Sequence, residues 1–386
     1  MDIVVSEHLL PSLPERLAAL GRHDVVIVAD PDTRDAIGRD TVKRIAEATR
    51  AVTKIIKEPS VTLELAETLS ARLRKARFAI AIGSGSINDL VKFAAHRAGI
   101  PYAIVATAPS MNGYSSRTAS LARDGFKQSF EATAPVAIFA DLPTLARAPL
   151  PLRAAGVGDT LCRSTVQADW RVAHKLLGVP YDESLFTDIM LWEKELMAHA
   201  DKVKAGDVGI MRVLFRALIA GGDAMRRHGT SMPASQGEHM IAHTMEYLGH
   251  PAPAFHGEEI AVTTMTMARL QFGILTQDHL RLCRLEPQEK VWAMFPPGFR
   301  ELFRRKQLAC EEPQILSERW RDIRDWILQD YISPLDLEPA LKKAGCRTHA
   351  TDIGWEIEEY QNAYRLAYLT RDRFTFLDLG VMNGIL

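Results

Sequence analysis

The sequence predicts an α/β fold in its first part and an all-helical fold in its second, and two patterns carry that prediction. Over the first 150 residues, short runs of Val, Ile and Ala alternate with turns and amphipathic helical stretches. Near-continuous apolar runs are typical of strands that are covered on both faces, as in a parallel sheet. After about Pro151 these runs disappear, and apolar residues recur at the i, i+3, i+4 spacing of helices.

Five apolar runs are the predicted strands of the first part. Pro149 and Pro151 then block the continuation of a helix and mark a boundary. A chain of 386 residues is long enough for two to three domains at roughly 150 residues each. We therefore predict one domain over residues 1–150 and a second over residues 151–386. The predicted strands are residues 24–30, 51–56, 78–83, 102–107 and 136–141.

Charge and composition exclude several classes of function. Lys and Arg number 47 and Asp and Glu 48, a formal net charge of -1, so the chain has no overall field that attracts nucleic acid or an anionic membrane. The N-terminus lacks the basic and apolar regions of a signal peptide, and no run of 18 apolar residues occurs. Four widely spaced cysteines without a CxxC pair favour a reducing compartment. We expect a soluble, cytoplasmic protein without a membrane span or a nucleic-acid partner.

A glycine-rich turn follows the third predicted strand. Residues 83–89 read Gly-Ser-Gly-Ser-Ile-Asn-Asp and lead into a predicted helix. Glycines let the backbone approach a ligand closely, and the free N–H groups at a helix start favour phosphate, so a dinucleotide is the natural ligand. The GxGxxG fingerprint is incomplete because Asn88 takes the position of its third glycine. An ordinary tight connection between strand and helix is the alternative.

The loop after the next strand, residues 107–116, is rich in small and hydroxyl side chains. Ligands of open α/β sheets bind outside the carboxyl ends of the strands, where both loops are expected to lie. The two loops together favour a nucleotide over the alternative, which is an ordinary loop with a proline-directed turn.

Residues of the metal-ligand type cluster in the helical part. His239 and His243 are four residues apart and so project from one face of a helix. Asp159, one histidine of this pair and His256 would hold a divalent metal with positions open for a substrate oxygen, and the other histidine would contact substrate or relay a proton. The alternatives are a helix cap at Asp159 and histidines that bind nothing. The HExxH pattern of zinc peptidases is absent.

Five motifs follow one another along the chain: GSGSINDL, TAPSMNGYSS, AAGVGDTL, GEHMIAH and FHGEEIAV. In this order they resemble the sn-glycerol-1-phosphate dehydrogenases, within the superfamily of iron-containing alcohol dehydrogenases, glycerol dehydrogenases and dehydroquinate synthases. The match runs from about Asp24 to the closing TRDRFTFLDLG and covers most of the chain. The resemblance implies a dehydroquinate-synthase-like architecture, in which an α/β Rossmann-like nucleotide-binding domain precedes an all-helical domain that binds metal and substrate.

The resemblance also implies the site residues. Asp159, His239 and His256 match the ligands of one divalent metal ion, which is zinc, nickel or iron. Asp159 and His243 match substrate-contacting positions, and Asn112 replaces an aspartate at a third. Asparagine keeps hydrogen-bonding capacity but carries no charge and cannot act as a base, which leaves the substrate open. NAD or NADP would contact Gly85, Ser86, Ile87, Asn88, Asp89, Thr107, Ala108, Pro109, Ser110 and Ser116.

The implied activity is a metal-dependent, NAD(P)-linked interconversion of a phosphorylated secondary alcohol and its ketone by a homo-oligomer. In the family these are sn-glycerol 1-phosphate and dihydroxyacetone phosphate, and His243 would orient or relay the proton. The alternatives are a dehydrogenase of another polyol or ketone, a dehydroquinate-synthase-like lyase with the same cofactor and metal, and a nucleotide-binding paralogue without catalysis. The lyase is disfavoured because Glu238 precedes His239 in place of a glycine.

Three further features are left with open roles. Asp30 and Asp32 are candidates for discriminating NAD from NADP. Lys127 is either a phosphate or cofactor contact or a surface lysine. The stretch 287–312 is rich in Arg, Phe and Trp and receives no functional assignment.

Overall fold

A computed structural model of the chain describes residues 1–21, 23–123, 126–280, 282–283, 287–295, 298–308 and 313–386. Its strands are β1 (Asp2–Ser6), β2 (Val25–Ala29), β3 (Val52–Ile55), β4 (Phe78–Gly83), β5 (Tyr102–Ala106), β6 (Thr118–Arg123), β7 (Phe126–Glu131) and β8 (Ala137–Asp141). Six of them form one sheet in the order β1-β8-β5-β4-β2-β3, and all its neighbouring pairs are parallel. β6 and β7 form a separate antiparallel hairpin.

The burial of the central strands explains their apolar sequences. β4 and β5 are buried at every residue. Alternate residues of β4 pack into different hydrophobic cores, with Ala79 and Ala81 in one and Ile80 and Ile82 in the other. Both faces of the strand are therefore covered, and continuous apolar sequence is required.

The expectation of coverage on both faces is wrong for β3. This strand lies at the edge of the sheet, and Val52, Thr53 and Lys54 are exposed. The opposite edge is β1, which pairs with β8 and lies outside the five predicted runs. Edge strands have one unpaired side and tolerate polar residues, so their sequences carry a weaker apolar signal.

Every regular element after β8 in the described part of the chain is helical, as predicted. Pro149 caps the helix that begins at Leu150, and Pro151 lies in its first turn, where the missing N–H of proline costs nothing. The helices are α1 (Leu13–Leu20), α2 (Pro31–Ile37), α3 (Arg39–Thr49), α4 (Leu63–Leu73), α5 (Gly85–Ala98), α6 (Leu142–Arg147), α7 (Leu150–Leu161), α8 (Arg163–Leu177), α9 (Thr187–Ala198), α10 (Asp201–Ala205), α11 (Val208–His228), α12 (Gly237–Tyr247), α13 (His256–Leu275), α14 (Glu289–Trp292), α15 (Gly298–Leu308), α16 (Pro313–Leu328), α17 (Pro334–Ala344), α18 (Ile357–Leu366) and α19 (Phe376–Met382).

One hydrophobic core crosses the predicted domain boundary. Val28 and Leu145 from the α/β part belong to the same core as Leu214 and Leu341 from the helical part. A second core is built entirely from residues of the helical part. The α/β and helical composition of the two parts is confirmed, and the division at residue 150 stays a prediction.

The structure also bears on three features noted in the sequence, which are membrane-spanning helices, the cysteines and the stretch 287–312. None of the described helices has the length and apolar character needed to cross a bilayer. Cys162, Cys283 and Cys346 are free thiols, and Cys310 lies outside the described residues. Within the stretch 287–312, α14 and α15 are described, whereas residues 296–297 and 309–312 lie outside the description.

Candidate active site

A cavity of about 760 Å³ opens between the carboxyl edge of the sheet and the helical part. On one side it is lined by Ser84, Gly85 and Ser86, which follow β4, and by residues 110–113, which follow β5. On the other side it is lined by side chains of the helical part. The glycine-rich turn therefore faces the same space as Asp159, His239, His243, His256, Arg371 and Arg373.

Half of the candidate cofactor residues form part of the cavity wall. α5 begins at Gly85, so its first N–H groups have no acceptor within the helix and are available at the cavity. The candidates in the wall are Gly85, Ser86, Asp89, Ser110 and Ser116. The other five candidates do not line the cavity: Ile87, Asn88, Thr107, Ala108 and Pro109.

Three of these five residues help to hold the two loops in place. Ile87 is 1% exposed and packs in the core. Asn88 Nδ2 donates to Asp89 Oδ1 at 3.1 Å, and the Ala108 carbonyl accepts the hydroxyl of Tyr114 at 2.7 Å. These contacts help to fix the backbone that carries Gly85 and Ser110, so Ile87, Asn88 and Ala108 support the part of the cavity wall that follows β4 and β5.

Lys92 is a buried residue of this edge that the sequence interpretation missed. Its Nζ lies 3.7 Å from Asp89 Oδ1 and donates to Ser116 Oγ and the Thr118 carbonyl, each at 3.1 Å. Burial lowers the pKa of Lys92, and the charge of Asp89 opposes this shift. Lys92 follows Asp89 by three residues on α5, and this spacing was the available sequence signal.

The candidates for discriminating NAD from NADP lie outside the described wall of the cavity. Asp30 caps α2, and its Oδ1 accepts the N–H of Thr33 at 2.8 Å. Asp32 is exposed in the first turn of the same helix. Asp30 therefore has a structural role at the end of β2, independent of any ligand.

The three candidate metal ligands come together from three helices. Asp159 lies on α7, His239 on α12, and His256 is the first residue of α13. One ligand atom from each lies within 4.8 Å of the others, and the two histidine Nε2 atoms are 3.3 Å apart. This mixture of one carboxylate and two imidazoles is a donor set that several divalent metals accept.

Two glycines allow this convergence. Gly158 directly precedes Asp159 and Gly257 directly follows His256, and α7 and α13 cross at these glycines. A Cβ on Gly158 would lie 2.1 Å from the Gly257 carbonyl oxygen, and a Cβ on Gly257 would lie 2.0 Å from the Ala155 carbonyl oxygen. Any larger side chain would separate the helices, so the ligand distance depends on backbone contact between glycines.

Asp159 has one oxygen with a partner and one without. Its Oδ2 accepts the N–H of Asn112 at 2.6 Å. Its Oδ1 is buried and has no hydrogen-bond partner among the described residues. A buried carboxylate oxygen without a partner is costly, and a cation between Asp159 and the two histidines would remove that cost. The residues present therefore fit a divalent metal.

Glu238 orients the first histidine. Its Oε1 lies 2.7 Å from His239 Nδ1 and also accepts the N–H of Gln236 at 2.8 Å. A carboxylate beside Nδ1 keeps the proton on that nitrogen and leaves Nε2 as a lone-pair donor toward the cavity. Burial lowers the pKa of His239, which also favours the neutral, ligating form. The sequence interpretation used Glu238 only as an argument against a lyase and missed this role.

His243 lies one turn along α12 and also faces the cavity. Its Nδ1 is 3.5 Å from Glu246 Oε2. Burial lowers the pKa of His243 to about 3, although the hydrogen bond with Glu246 opposes that shift. His243 is therefore a neutral hydrogen-bonding group at neutral pH.

Lys127 is a partly exposed lysine of the cavity wall that forms ion pairs with two carboxylates. It is 38% exposed in the cavity wall, and its Nζ lies 2.9 Å from Glu246 and 3.6 Å from Glu259. Burial alone would lower the pKa of Lys127, but the two carboxylates raise it. The charge of Lys127 is therefore compensated within the protein.

Asn112 begins a short 3-10 helix (Asn112–Ser115) directly beside Asp159. Its Nδ2 lies 3.5 Å from the Asp159 carbonyl, and its side chain packs against Gly221 of α11. A carboxylate at this position would face the same carbonyl oxygen with a like partial charge. The amide of Asn112 can therefore donate a hydrogen bond to this carbonyl oxygen, which an ionised carboxylate cannot do.

Comparison with known proteins gives the family. The family model of iron-containing alcohol dehydrogenases matches residues 4–149. A glycerol-1-phosphate dehydrogenase [NAD(P)+] of Pyrococcus furiosus is 36% identical over 247 residues, 64% of this chain and 71% of the relative. The chain belongs to the glycerol-1-phosphate dehydrogenase family. A member from Bacillus velezensis is 30% identical over 398 residues, which covers 100% of this chain and 92% of the relative.

A solved structure shows the same fold. The alcohol dehydrogenase of an archaeon from a Red Sea brine pool superposes with a TM-score of 0.68 at 13% identity, covering 99% of this chain and 96% of that one. At this identity the likeness concerns the fold alone. The family resemblance, the fold class and the expectation of an oxidoreductase are thus confirmed.

Proposed function

We propose that the protein is a metal-dependent, NAD(P)-linked dehydrogenase that interconverts sn-glycerol 1-phosphate and dihydroxyacetone phosphate. The observation that carries the proposal is the convergence of Asp159, His239 and His256 on the cavity that also contains the glycine-rich turn. The names of the family members from Pyrococcus furiosus and Bacillus velezensis support the substrate and the cofactor.

Asp159, His239 and His256 would hold one divalent ion, zinc, nickel or iron. When bound, the metal supplies electrophilic polarisation of the substrate oxygen, and the nicotinamide supplies or accepts the hydride. Glu238 keeps the ring of His239 in its ligating tautomer. Asp159 lies inside α7, near its C-terminal end, and so caps no helix N-terminus, and its buried Oδ1 without a partner supports a ligand role.

The dinucleotide would lie along the edge formed by Gly85, Ser86 and Ser110, with its phosphates at the start of α5. Asp89 and Ser116 would complete this edge. Ile87, Asn88, Thr107, Ala108 and Pro109 would act through the backbone that they hold in place.

His243 and Asn112 would orient the substrate. His243 is neutral at neutral pH because burial lowers its pKa to about 3, so it would accept or donate one hydrogen bond without carrying a charge. Asn112 would offer an amide donor where the family has a carboxylate acceptor. Both residues would thus fix the position of the carbon between the metal and the nicotinamide, which contributes by orientation.

The remaining expectations rest on family membership. We propose that residues 1–150 and 151–386 act as two domains around the cavity, and that the enzyme is a cytoplasmic homo-oligomer. Light scattering on the purified protein at several concentrations would give its oligomeric state.

The test is oxidation of NADH and of NADPH with dihydroxyacetone phosphate. Chelated protein is compared with protein resupplied with zinc, nickel or iron. Metal-dependent oxidation of either cofactor supports the proposal and identifies the cofactor. Metal and cofactor binding without turnover would contradict the proposed substrate and direct screening to other phosphorylated or cyclic ketones, and a reaction without net change in NADH would indicate a lyase.

A further inference from the structure

Two arginines in the cavity wall have no role in the site described so far. Arg371 and Arg373 follow the turn Ala367–Leu369 near the C-terminus and are partly buried. Arg371 Nη1 donates to Ser235 Oγ at 3.0 Å. Arg373 donates to the carbonyl oxygen of Ser235 and, at 2.9 Å, to Ser231 Oγ. Each guanidinium has five N–H donors, so most of them remain available to a ligand.

Neither arginine forms a direct ion pair with a carboxylate in the described part of the chain, although the charges of Glu238 and Asp372 act on both and raise their pKa values. Among the described residues, no carboxylate oxygen lies within 4.0 Å of either guanidinium. Lys127 in the same wall differs, because it pairs with Glu246 and Glu259. Among the described residues of the cavity wall, Lys127 is therefore held in direct ion pairs, whereas Arg371 and Arg373 are not.

Burial makes this arrangement costly in the free protein. It lowers the pKa of Arg371, and it lowers the pKa of Arg373 to about 9, with a further contribution from the charge of Arg371. Two like charges held together away from bulk water are unfavourable unless an anion accompanies them. A multivalent anion in the cavity would satisfy both.

The position of Arg371 indicates which part of the ligand the anion belongs to. Its charge acts on His243 and Tyr247, which lie on α12 with the candidate metal ligand His239. The helix N-terminus suited to the dinucleotide phosphates belongs to α5, which follows β4 of the sheet and is not part of the helical half that carries Arg371 and α12. The arginines therefore lie at the substrate end.

We propose that Arg371, with Arg373 beside it, forms the subsite that binds the phosphate group of the substrate. A guanidinium presents paired N–H donors that match phosphate oxygens, and such charge-assisted bonds are stronger than neutral ones. Arg373 also holds the segment 231–235, which leads into α12, and so acts in part as a positioning residue. The inference rests on the proposed function, because it assigns a binding site to the phosphate group, which the proposed substrate has and a simple alcohol lacks.

The experiment measures binding of inorganic phosphate by calorimetry with NADH saturating, so that the nucleotide edge is already occupied. Arg371→Gln is compared with the wild type, with Arg371→Lys, and with Arg212→Gln, a surface arginine paired with Glu7. Steady-state constants for dihydroxyacetone phosphate and NADH are measured on the same proteins. The melting temperature of each variant checks its fold.

We expect Arg371→Gln to weaken phosphate binding and to raise KM for dihydroxyacetone phosphate by about 10- to 100-fold, the range of a lost charged hydrogen bond. KM for NADH should stay unchanged, Arg371→Lys should fall in between because it keeps the charge but loses the paired donors, and Arg212→Gln should match the wild type. A higher KM for NADH alone would overturn the proposal and assign the arginines to the cofactor.

Unchanged phosphate binding in Arg371→Gln, or no phosphate binding by the wild type, would also overturn the subsite. Failure of the proposed function has a different signature. In that case the wild type would bind phosphate through Arg371 and yet leave dihydroxyacetone phosphate unreduced, which would indicate another phosphorylated substrate.

Discussion

The two ends of the cavity are built by different means. The nucleotide edge uses backbone from short continuous segments, with Gly85 and Ser86 in one turn and Ser110 in the next. The end that carries the candidate metal ligands uses side chains from α7, α12 and α13, and α7 and α13 approach closely because they cross at glycines. A site made of backbone depends on local conformation, whereas a site made of side chains depends on how distant helices cross. Substitutions at the two ends should therefore have different effects, on metal content and stability at one end and on NADH affinity at the other.

The largest effect is expected at the metal end. Asp159→Asn keeps the size of the side chain but removes its charge, so the ion should be lost. We expect kcat/KM to fall by about 10³-fold or more, since an electrophilic metal is worth several kcal/mol. Metal content by mass spectrometry and NADH oxidation check this, with circular dichroism as the measure of folding. A variant that keeps both its ion and its activity would show that Asp159 is not a ligand.

The crossing of α7 and α13 should give the next largest effect. In Gly257→Ala the added Cβ would lie 2.0 Å from the Ala155 carbonyl oxygen, so α13 must move and carry His256 with it. We expect a loss of about 1–3 kcal/mol in the free energy of unfolding and of about 10²-fold in kcat/KM, the cost of a small misplacement. Denaturant unfolding and metal content test both.

The matched control for the crossing lies on the same helix. A Cβ on Gly273 of α13 would meet no atom within 4 Å. Gly273→Ala should keep its metal and gain up to about 1 kcal/mol of stability, because alanine is the better helix former. If Gly257→Ala and Gly273→Ala had the same metal content and the same free energy of unfolding, the glycine crossing of α7 and α13 would not be what positions His256.

The smallest effect is expected at the nucleotide edge. In Gly85→Ala the added Cβ would lie 3.2 Å from Sδ of Met111, a flexible side chain that can move aside. The fold and the metal should therefore be retained, while the dissociation constant for NADH rises by about 10-fold because the methyl group occupies the path of the dinucleotide. Fluorescence titration with NADH measures this. Loss of metal without a change in NADH affinity would mean that the two ends are not separate.

The sequence predicted best the features that are local or periodic. The apolar runs marked β2, β3, β4, β5 and β8 because strands need a fixed alternation or a continuous apolar face. The spacing of His239 and His243 on α12 followed from helical geometry. The glycine-rich turn marked the start of α5 because only a few residue types suit that position.

Other features depended on contacts between distant segments. Lys127 of β7 is compensated by Glu246 of α12 and Glu259 of α13. Five of the ten cofactor candidates do not line the cavity, because successive residues of a motif point in different directions and only some of them face the cavity.

The motif TRDRFTF near the C-terminus shows most clearly what the sequence alone does not reveal. Arg371 and Arg373 were visible in the sequence as part of TRDRFTF, and nothing in their spacing indicated a ligand. Local sequence specifies secondary structure because backbone conformation and periodic burial are properties of neighbouring residues. Which charges find partners, and which remain unpaired in a cavity, depends on the packing of segments far apart in the chain.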